Sequence, residues 1–499
     1  LVLARSMRDL ASKLGRHGSA VAAALFVSRI ASFLALPFLT EAMVETDYAS
    51  HDNLHLIGQL VALVALQGIP SAMFREYAFA SSSPADKRSI IVTGFRYVAV
   101  STVLACFVAG MFSRPIAEGA TNNLAFWKLF PLILFTHLLL NLRNLCGQVL
   151  RAEYRTKEFV LIYSGEGLLC LALNLYFVVH LKQGVAGLVY SNLLGAVAAT
   201  MLGLFFVPEA LSPGVDRARL SRMIQFGRPL ILPTLTLFLL DSADRALFRL
   251  MLGEPGLELS GIYGRAMTFA SMLNALLLMP LNTFWPTVYY DLAKRPTGAH
   301  DIGRCGSWYF AIGCLLATGL SVIAEPLVSL MTDRRYHEAH TVVPLLAFAF
   351  VMLGASEITK VGMFIAARTK WMPWLVAVAL LVNIGVNAWL IPRVGLLGAG
   401  WAALVAYFAL AVVAGLVGQR LFAIRYEWSR LARVLLAVGV CFALGAWLPV
   451  DVSSSVTDRI GNILLRGTTV VIAFPAVLLA TRFFTRGELD FLRRLAPPS

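Results

Sequence analysis

The 499 residues are 58% hydrophobic and only 14% charged, with a mean hydropathy of +0.74. A globular domain carries roughly a quarter charged residues, so a chain built around an aqueous surface is excluded. The formal charge of +14 would point to nucleic acid in a soluble protein, but its distribution along the sequence assigns it elsewhere.

A bilayer core about 30 Å thick takes about 20 apolar residues per helix, and the sequence divides into about fourteen such runs joined by short connections. Ahead of the first, Leu3, Met7, Leu10 and Leu14 recur at helical spacing between Arg5, Arg8, Lys13 and Arg16. This reads either as a short helix lying in the interface or as a basic tail. Span 1, expected near 20–43, is too long for a signal-peptide core and holds Arg29 near its middle, inside FVSRIASF. Span 2, near 54–81, passes Gly68 and Pro70, which bend or loosen it, before reaching Arg75 and Glu76. Spans 3 to 6 follow near 89–112, 124–147, 158–180 and 184–207. Within them, Glu166 sits in span 5, and His137 in span 4 reads more simply as a satisfied interior histidine than as a proton relay.

Span 7, near 226–250, ends in a crowd of charge: Asp241, Asp244, Arg245 and Arg249. Asp241 and Arg245 are four apart on one helical face, so an internal ion pair is the simpler reading. Span 8, near 260–290, carries Arg265 in its external third and Trp285, Tyr289 and Tyr290 at its other end. Those aromatic residues suit either sugar stacking or anchoring in the interfacial belt. Spans 9 to 14 lie near 305–331, 341–366, 371–391, 396–422, 430–449 and 461–482. Glu325 before Pro326 marks a bend in span 9, and Glu357 and Lys360 lie in span 10. The six cysteines, Cys106, Cys146, Cys170, Cys305, Cys314 and Cys441, show no metal or redox spacing and read as small buried residues. No cofactor or metal is expected.

Positive charge alternates between connections. One set carries Lys87 and Arg88; Arg151, Arg155 and Lys157; Arg217, Arg219 and Arg222; Lys294, Arg295 and Arg304; and so on to Arg493 and Arg494. The opposite set is several-fold poorer, holding Arg114, Lys182, Arg334, Arg335, Arg393 and Arg459. The positive-inside rule places the rich set, and with it both termini, in the cytoplasm, which accounts for the net charge without nucleic acid. Connections such as 207–225 are too short for a folded domain, which disfavours membrane glycosyltransferases, polymerases and ligases, and no phosphate-binding loop is present.

An ionisable side chain at the centre of a membrane helix costs at least about 2.5–3.5 kcal/mol, so one that persists faces a polar cavity or a partner. Arg29, Arg75 and Arg265 together would line a cationic cavity suited to a pyrophosphate or acidic sugar, because guanidinium is permanently charged and grips phosphate through paired donors. The bland alternative is that each snorkels or pairs with a carboxylate. Glu166, Glu357 and Asp241 are candidate ion-coupling carboxylates, equally readable as packing partners, and Asp241, Asp244 and Arg245 form a candidate structural ion pair.

The stretches SRIASFLALPFLTEAMVETDYASHDNLHLIGQL and GIPSAMFREYAF resemble the opening of the polysaccharide flippases in the MATE-like multidrug/oligosaccharidyl-lipid/polysaccharide exporter superfamily. A second similar stretch, FGRPLILPTLTLFLLDSADRALFRLMLGEPGLELSGIYGRA, holds Asp244-Arg245, Gly253 and a Gly261-Ile262-Tyr263 turn at that family's Asp-Arg, Gly and Gly-x-Tyr positions. The loop GEPGLELSGIY is longer than the family's usual turn, and ETDYAS stands where drug exporters carry a Val-Asp-based motif, which favours the flippase branch. The resemblance implies an all-α membrane protein of two six-helix lobes in a V, an N-lobe over 1–207 and a C-lobe over 226–422 joined by a cytoplasmic linker at 208–225. Two extra helices and a tail fill 423–499. It further implies flipping of undecaprenyl-pyrophosphate-linked oligosaccharide across the bacterial inner membrane, with Arg29, Arg75 and Arg265 in the cavity. Membrane lipids, a glycan polymerase and assembly proteins would be its partners. A peptidoglycan lipid-precursor flippase and a cation-coupled small-molecule exporter are the alternatives.

Overall fold

The structure, a computed structural model, describes residues 30–79, 83–121, 123–366, 368–448 and 455–485, together with Val27 and Glu488. These residues are helical throughout, with no strand among them: α1 (Ile30–Ala42), α2 (Glu45–Leu66), α3 (Ile69–Phe79), α4 (Pro84–Met111), α5 (Ser113–Ala120), α6 (Phe130–Ala152), α7 (Thr156–Asn174), α8 (Gly184–Phe206), α9 (Arg217–Leu252), α10 (Glu254–Leu273), α11 (Met279–Ala293), α12 (Gly298–Met331), α13 (Val343–Thr359), α14 (Val361–Ile365), α15 (Met372–Val394), α16 (Leu396–Leu421), α17 (Trp428–Trp447) and α18 (Val456–Ala480). Twelve helices among the described residues are long and apolar enough to cross a membrane, and the bent pair α2 and α3 brings the number to thirteen. The expected basic N-terminal segment and the first part of span 1 lie outside the described residues.

Side-chain exposure fits a lipid surround. Along α17 the large apolar residues Leu435, Leu436, Phe442 and Leu444 are exposed, and exposed Trp428 and Trp447 stand at its two ends. At 1.5 Å per residue those indoles are roughly 28 Å apart, the thickness of a hydrocarbon core, and tryptophan favours that boundary.

The chain forms two compact units, one of residues 1–265 with 372–399 and one of 266–371 with 400–499. In the first, α6 packs against α4, α8 and α2, while α9 packs against α15, α2 and α3. Span 2 starts earlier than its hydropathy indicates, at Glu45, because the acidic Glu45 and Asp47 in its first turn suit the positive end of the helix dipole. It breaks where expected, at Gln67 and Gly68 with φ of 44° and 71°, and α3 leaves at 44° to α2. The break is pressed against α9: a side chain on either Gly68 or Gly227 would collide with the backbone of the other segment.

Segment 208–225, expected as a linker, is helical from Arg217, where the Asp216 carboxylate accepts from the backbone N–H groups of Ala218 and Arg219. The expected loop GEPGLELSGIY is also helical. Gly253, with φ of 66°, is the single residue between α9 and α10, and Glu254 opens the next helix at its favourable N-terminal end. Gly261 is therefore not a turn residue; it sits within α10, where any side chain would strike the carbonyl of Glu45.

In the second unit α12 packs against α13, α17 and α18, and continues through Pro326 as one helix. Beyond α18, Glu488 takes hydrogen bonds from Arg304 at 2.7 Å, Arg430 at 3.0 Å and the Trp308 indole at 3.0 Å, fastening that segment to α12 and α17.

Candidate functional site: a charged cluster on the first turns of span 2

Tyr48, Asp52 and His55 recur at spacings of four and three on α2 and therefore share a face, with His51 beside them. Asp52 is the hub. Its Oδ2 accepts from the Arg265 guanidinium of α10 at 2.7 Å, and its Oδ1 lies 3.2 Å from His51 Nδ1. The guanidinium also lies over the Tyr48 ring, 3.8 Å from the centroid. Small residues permit this approach: a Cβ on Gly264 would stand 3.0 Å from Asp52 Oδ2, and Gly261 lets the α10 backbone reach Glu45.

Two further elements close the cluster. Asn192 of α8 places its Nδ2 3.4 Å from His51 Nε2. His137 of α6 donates from Nε2 to the His55 carbonyl at 3.1 Å, and the two imidazoles lie 4.5 Å apart. His137 is thus a satisfied interior histidine, 4% exposed, and it fits only because α2 carries Gly58 opposite. Among the described residues no three His, Cys, Asp or Glu side chains converge on a metal position.

The residues marked in the sequence are dispersed. Arg29 lies outside the described residues, as does the side chain of Asp241. Arg265 is 8% exposed and paired with Asp52. Arg75 is exposed on α3, its guanidinium 4.6 Å from the Phe226 ring, while Glu76 faces Arg222 at 3.9 Å. The structure does not bring Arg75 to Arg265, since it stands well beyond the helix break, roughly 35 Å along the helices from Asp52 at 1.5 Å per residue. Asp244 is buried on α9. Its carboxylate, 2% exposed, accepts from the Tyr263 hydroxyl at 2.6 Å and from the Asn387 and Asn383 amides of α15 at 2.6 and 3.0 Å.

The other two carboxylates each face a cation. Glu166 accepts from Arg143 of α6, whose guanidinium also lies 4.5 Å from the Tyr163 ring. Glu357 accepts from Lys360 at 2.6 Å. The sequence reading missed Asp52, His51, His55 and Arg143. His51 and Asp52 stand before the apolar run that marked span 2 and His55 at its start, and the signal that identifies them is the i, i+3, i+4 recurrence of Tyr48, His51, Asp52 and His55.

A multi-pass helical membrane protein with buried charge pairs is the class this geometry defines. Solved structures with the same fold include the lipid II flippase MurJ in its inward closed conformation, 12% identical with a TM-score of 0.69 over 93% of this chain and 99% of that one. A MATE transporter in complex with MaL6 is 14% identical with a TM-score of 0.62, covering 85% and 97% of the two chains. The Vibrio cholerae MATE transporter VcmN is 16% identical with a TM-score of 0.61, covering 83% and 98%. No curated protein matches the sequence. Residues 60–341, more than half of the chain, match the family described as polysaccharide biosynthesis protein, and the chain belongs to that family.

Proposed function

We propose that the protein flips an undecaprenyl-pyrophosphate-linked oligosaccharide from the cytoplasmic to the external leaflet of the bacterial inner membrane, by alternating access and without covalent chemistry. The glycan would serve O-antigen, capsule or exopolysaccharide, and a polymerase and assembly proteins would receive it. Both termini would lie in the cytoplasm, as the alternation of positive charge implies.

The observation that carries this reading is Arg265, a buried guanidinium within a membrane-spanning helix whose carboxylate partner is Asp52. Desolvated guanidinium is costly, and its paired donors match a pyrophosphate better than any neutral group. Family membership supports a glycan substrate, and the fold supports transport. Arg75, exposed on α3 near the end expected to face the cytoplasm, is a candidate first contact for the headgroup.

The likeness to MurJ favours a second reading in which the carried lipid is a peptidoglycan precursor with the same pyrophosphate. Proteoliposomes loaded with fluorescent undecaprenyl-pyrophosphate oligosaccharide or with lipid II distinguish the two. Wild-type protein is expected to expose the oligosaccharide lipid to an external quencher, and Arg265→Ala to lose that activity while eluting as a folded monodisperse protein. Full activity in Arg265→Ala rejects the headgroup assignment.

A further inference from the structure

We infer that His51 is a proton-operated switch on Arg265. Protonated, its imidazole takes over the Asp52 carboxylate and leaves the guanidinium able to grip an anionic headgroup. The inference rests on the reading of Arg265 as a headgroup ligand.

The geometry divides one carboxylate between two groups. Oδ2 serves Arg265 at 2.7 Å, whose charge is permanent, and Oδ1 faces His51 at 3.2 Å, whose charge changes near neutrality in an ordinary setting. The tautomer of His51 follows from its other neighbour. Asn192 presents its Nδ2 at 3.4 Å from Nε2, and an amide nitrogen only donates. Nε2 is then the acceptor, and the proton of the neutral ring sits on Nδ1, directed at Asp52. A second proton on Nε2 needs only that the Asn192 amide turn its oxygen toward the ring. Protonation therefore requires no backbone movement and creates an imidazolium already touching a carboxylate.

The charges around His51 set the direction of the coupling. Asp52 and His55 flank it on α2, His137 of α6 lies against His55, Asn192 of α8 meets its Nε2, and Arg265 of α10 holds the other oxygen of Asp52. A positive charge on His51 would compete with Arg265 for the one carboxylate they share. A doubly anionic headgroup on Arg265 supplies the negative charge that the extra proton lacks. Proton and headgroup thus bind with positive coupling, and by linkage each raises the affinity of the other. His137 does not share this role, because its Nε2 is committed to the His55 carbonyl.

The probe is a short-chain P1,P2-dialkyl pyrophosphate, a diester whose two charges do not titrate near neutrality, added to the full chain in nanodiscs and followed by calorimetry. Wild type is expected to bind it roughly five- to tenfold more tightly at about pH 5.5 than at about pH 8, with net proton uptake on binding. His51→Gln is expected to flatten the pH response and abolish the uptake, and His51→Asn serves as the second variant should the first not fold. Equal wild-type affinity at both pH values, absence of uptake, or a pH response that survives both substitutions overturns the switch. Undiminished binding in Arg265→Ala sinks the headgroup reading instead, whereas binding that needs Arg265 but ignores His51 sinks the switch alone.

Discussion

Gly68 and Gly227 touch backbone to backbone, so that the break between α2 and α3 is seated on α9 with no side chain between them. The contact joins two of the stretches through which the sequence resembles the flippases, GIPSAMFREYAF and FGRPLILP, at their opening residues. Gly68 is doubly constrained, because its φ of 71° disfavours any residue with a Cβ. Gly227→Ala is expected to cost about 1–3 kcal/mol through overpacking, and Gly68→Ala to cost more because backbone strain adds to it. Fluorescence-detected thermal unfolding in detergent reads both, and a Gly227→Ala protein as stable as wild type means the two backbones can part at no cost.

Asp52 and Arg265 form a buried pair, and removal of one partner leaves a charge at membrane depth. Asp52→Asn is expected to destabilise by about 3–5 kcal/mol, and the double variant Asp52→Asn with Arg265→Gln by much less than the sum of the single variants. Thermal unfolding of the four proteins closes the cycle. Additive losses would mean that the pair contributes no coupling.

Much of this architecture was legible in the sequence, and the parts that were not have a common cause. Apolar run length finds a span because a bilayer rewards it residue by residue, and Gly68 with Pro70 announces the break because few other residues adopt that backbone. Partners are different. Asp52 and Arg265 are 213 residues apart, and nothing local distinguishes Arg265 held by a carboxylate from Arg265 lining an open cavity. Hydropathy also begins span 2 too late, since the polar residues of its first turns, from Glu45 to His55, find their partners in tertiary contacts with α5, α6, α8 and α10. The misread loop at Glu254 has the opposite origin. Polar residues there are ordinary helix-start residues, and one glycine suffices to turn the chain from α9 into α10.

Glu488 lies outside the spans and gives a pH signature. Burial pushes its carboxyl up from the ordinary value of 4.5, but hydrogen bonds from Arg304, the Thr485 backbone, Arg430 and the Thr485 hydroxyl outweigh that and hold it well below the usual carboxylate range. A carboxylate more acidic when folded than when unfolded stabilises fully above its ordinary value, and that stabilisation disappears as pH falls toward the lowered one. Wild-type thermal stability is therefore expected to fall below about pH 4.5, with Glu488→Gln less stable at neutrality by about 1–3 kcal/mol and less sensitive to acid. Parallel melting-temperature profiles for the two proteins would contradict this.

Arg143 and Glu166 provide the contrast with Asp52. Both side chains are about seven-eighths buried, the guanidinium is stacked on Tyr163 and bonded to Asn144, and the pair joins α6 to α7. Such a pair costs desolvation of two ions, and replacing both by apolar residues of similar volume is often neutral or stabilising, whereas removing one partner costs about 3–5 kcal/mol. The double variant Arg143→Met with Glu166→Leu is accordingly expected to unfold within about 1 kcal/mol of wild type, while Glu166→Leu alone is strongly destabilised. Flipping by the double variant decides the role of Glu166. Activity and pH dependence close to wild type leave it a packing partner of Arg143, whereas a stable double variant without transport makes its carboxylate a coupling group. The same comparison on Asp52 and Arg265 is expected to abolish transport, because on the proposed reading Arg265 exchanges Asp52 for the headgroup.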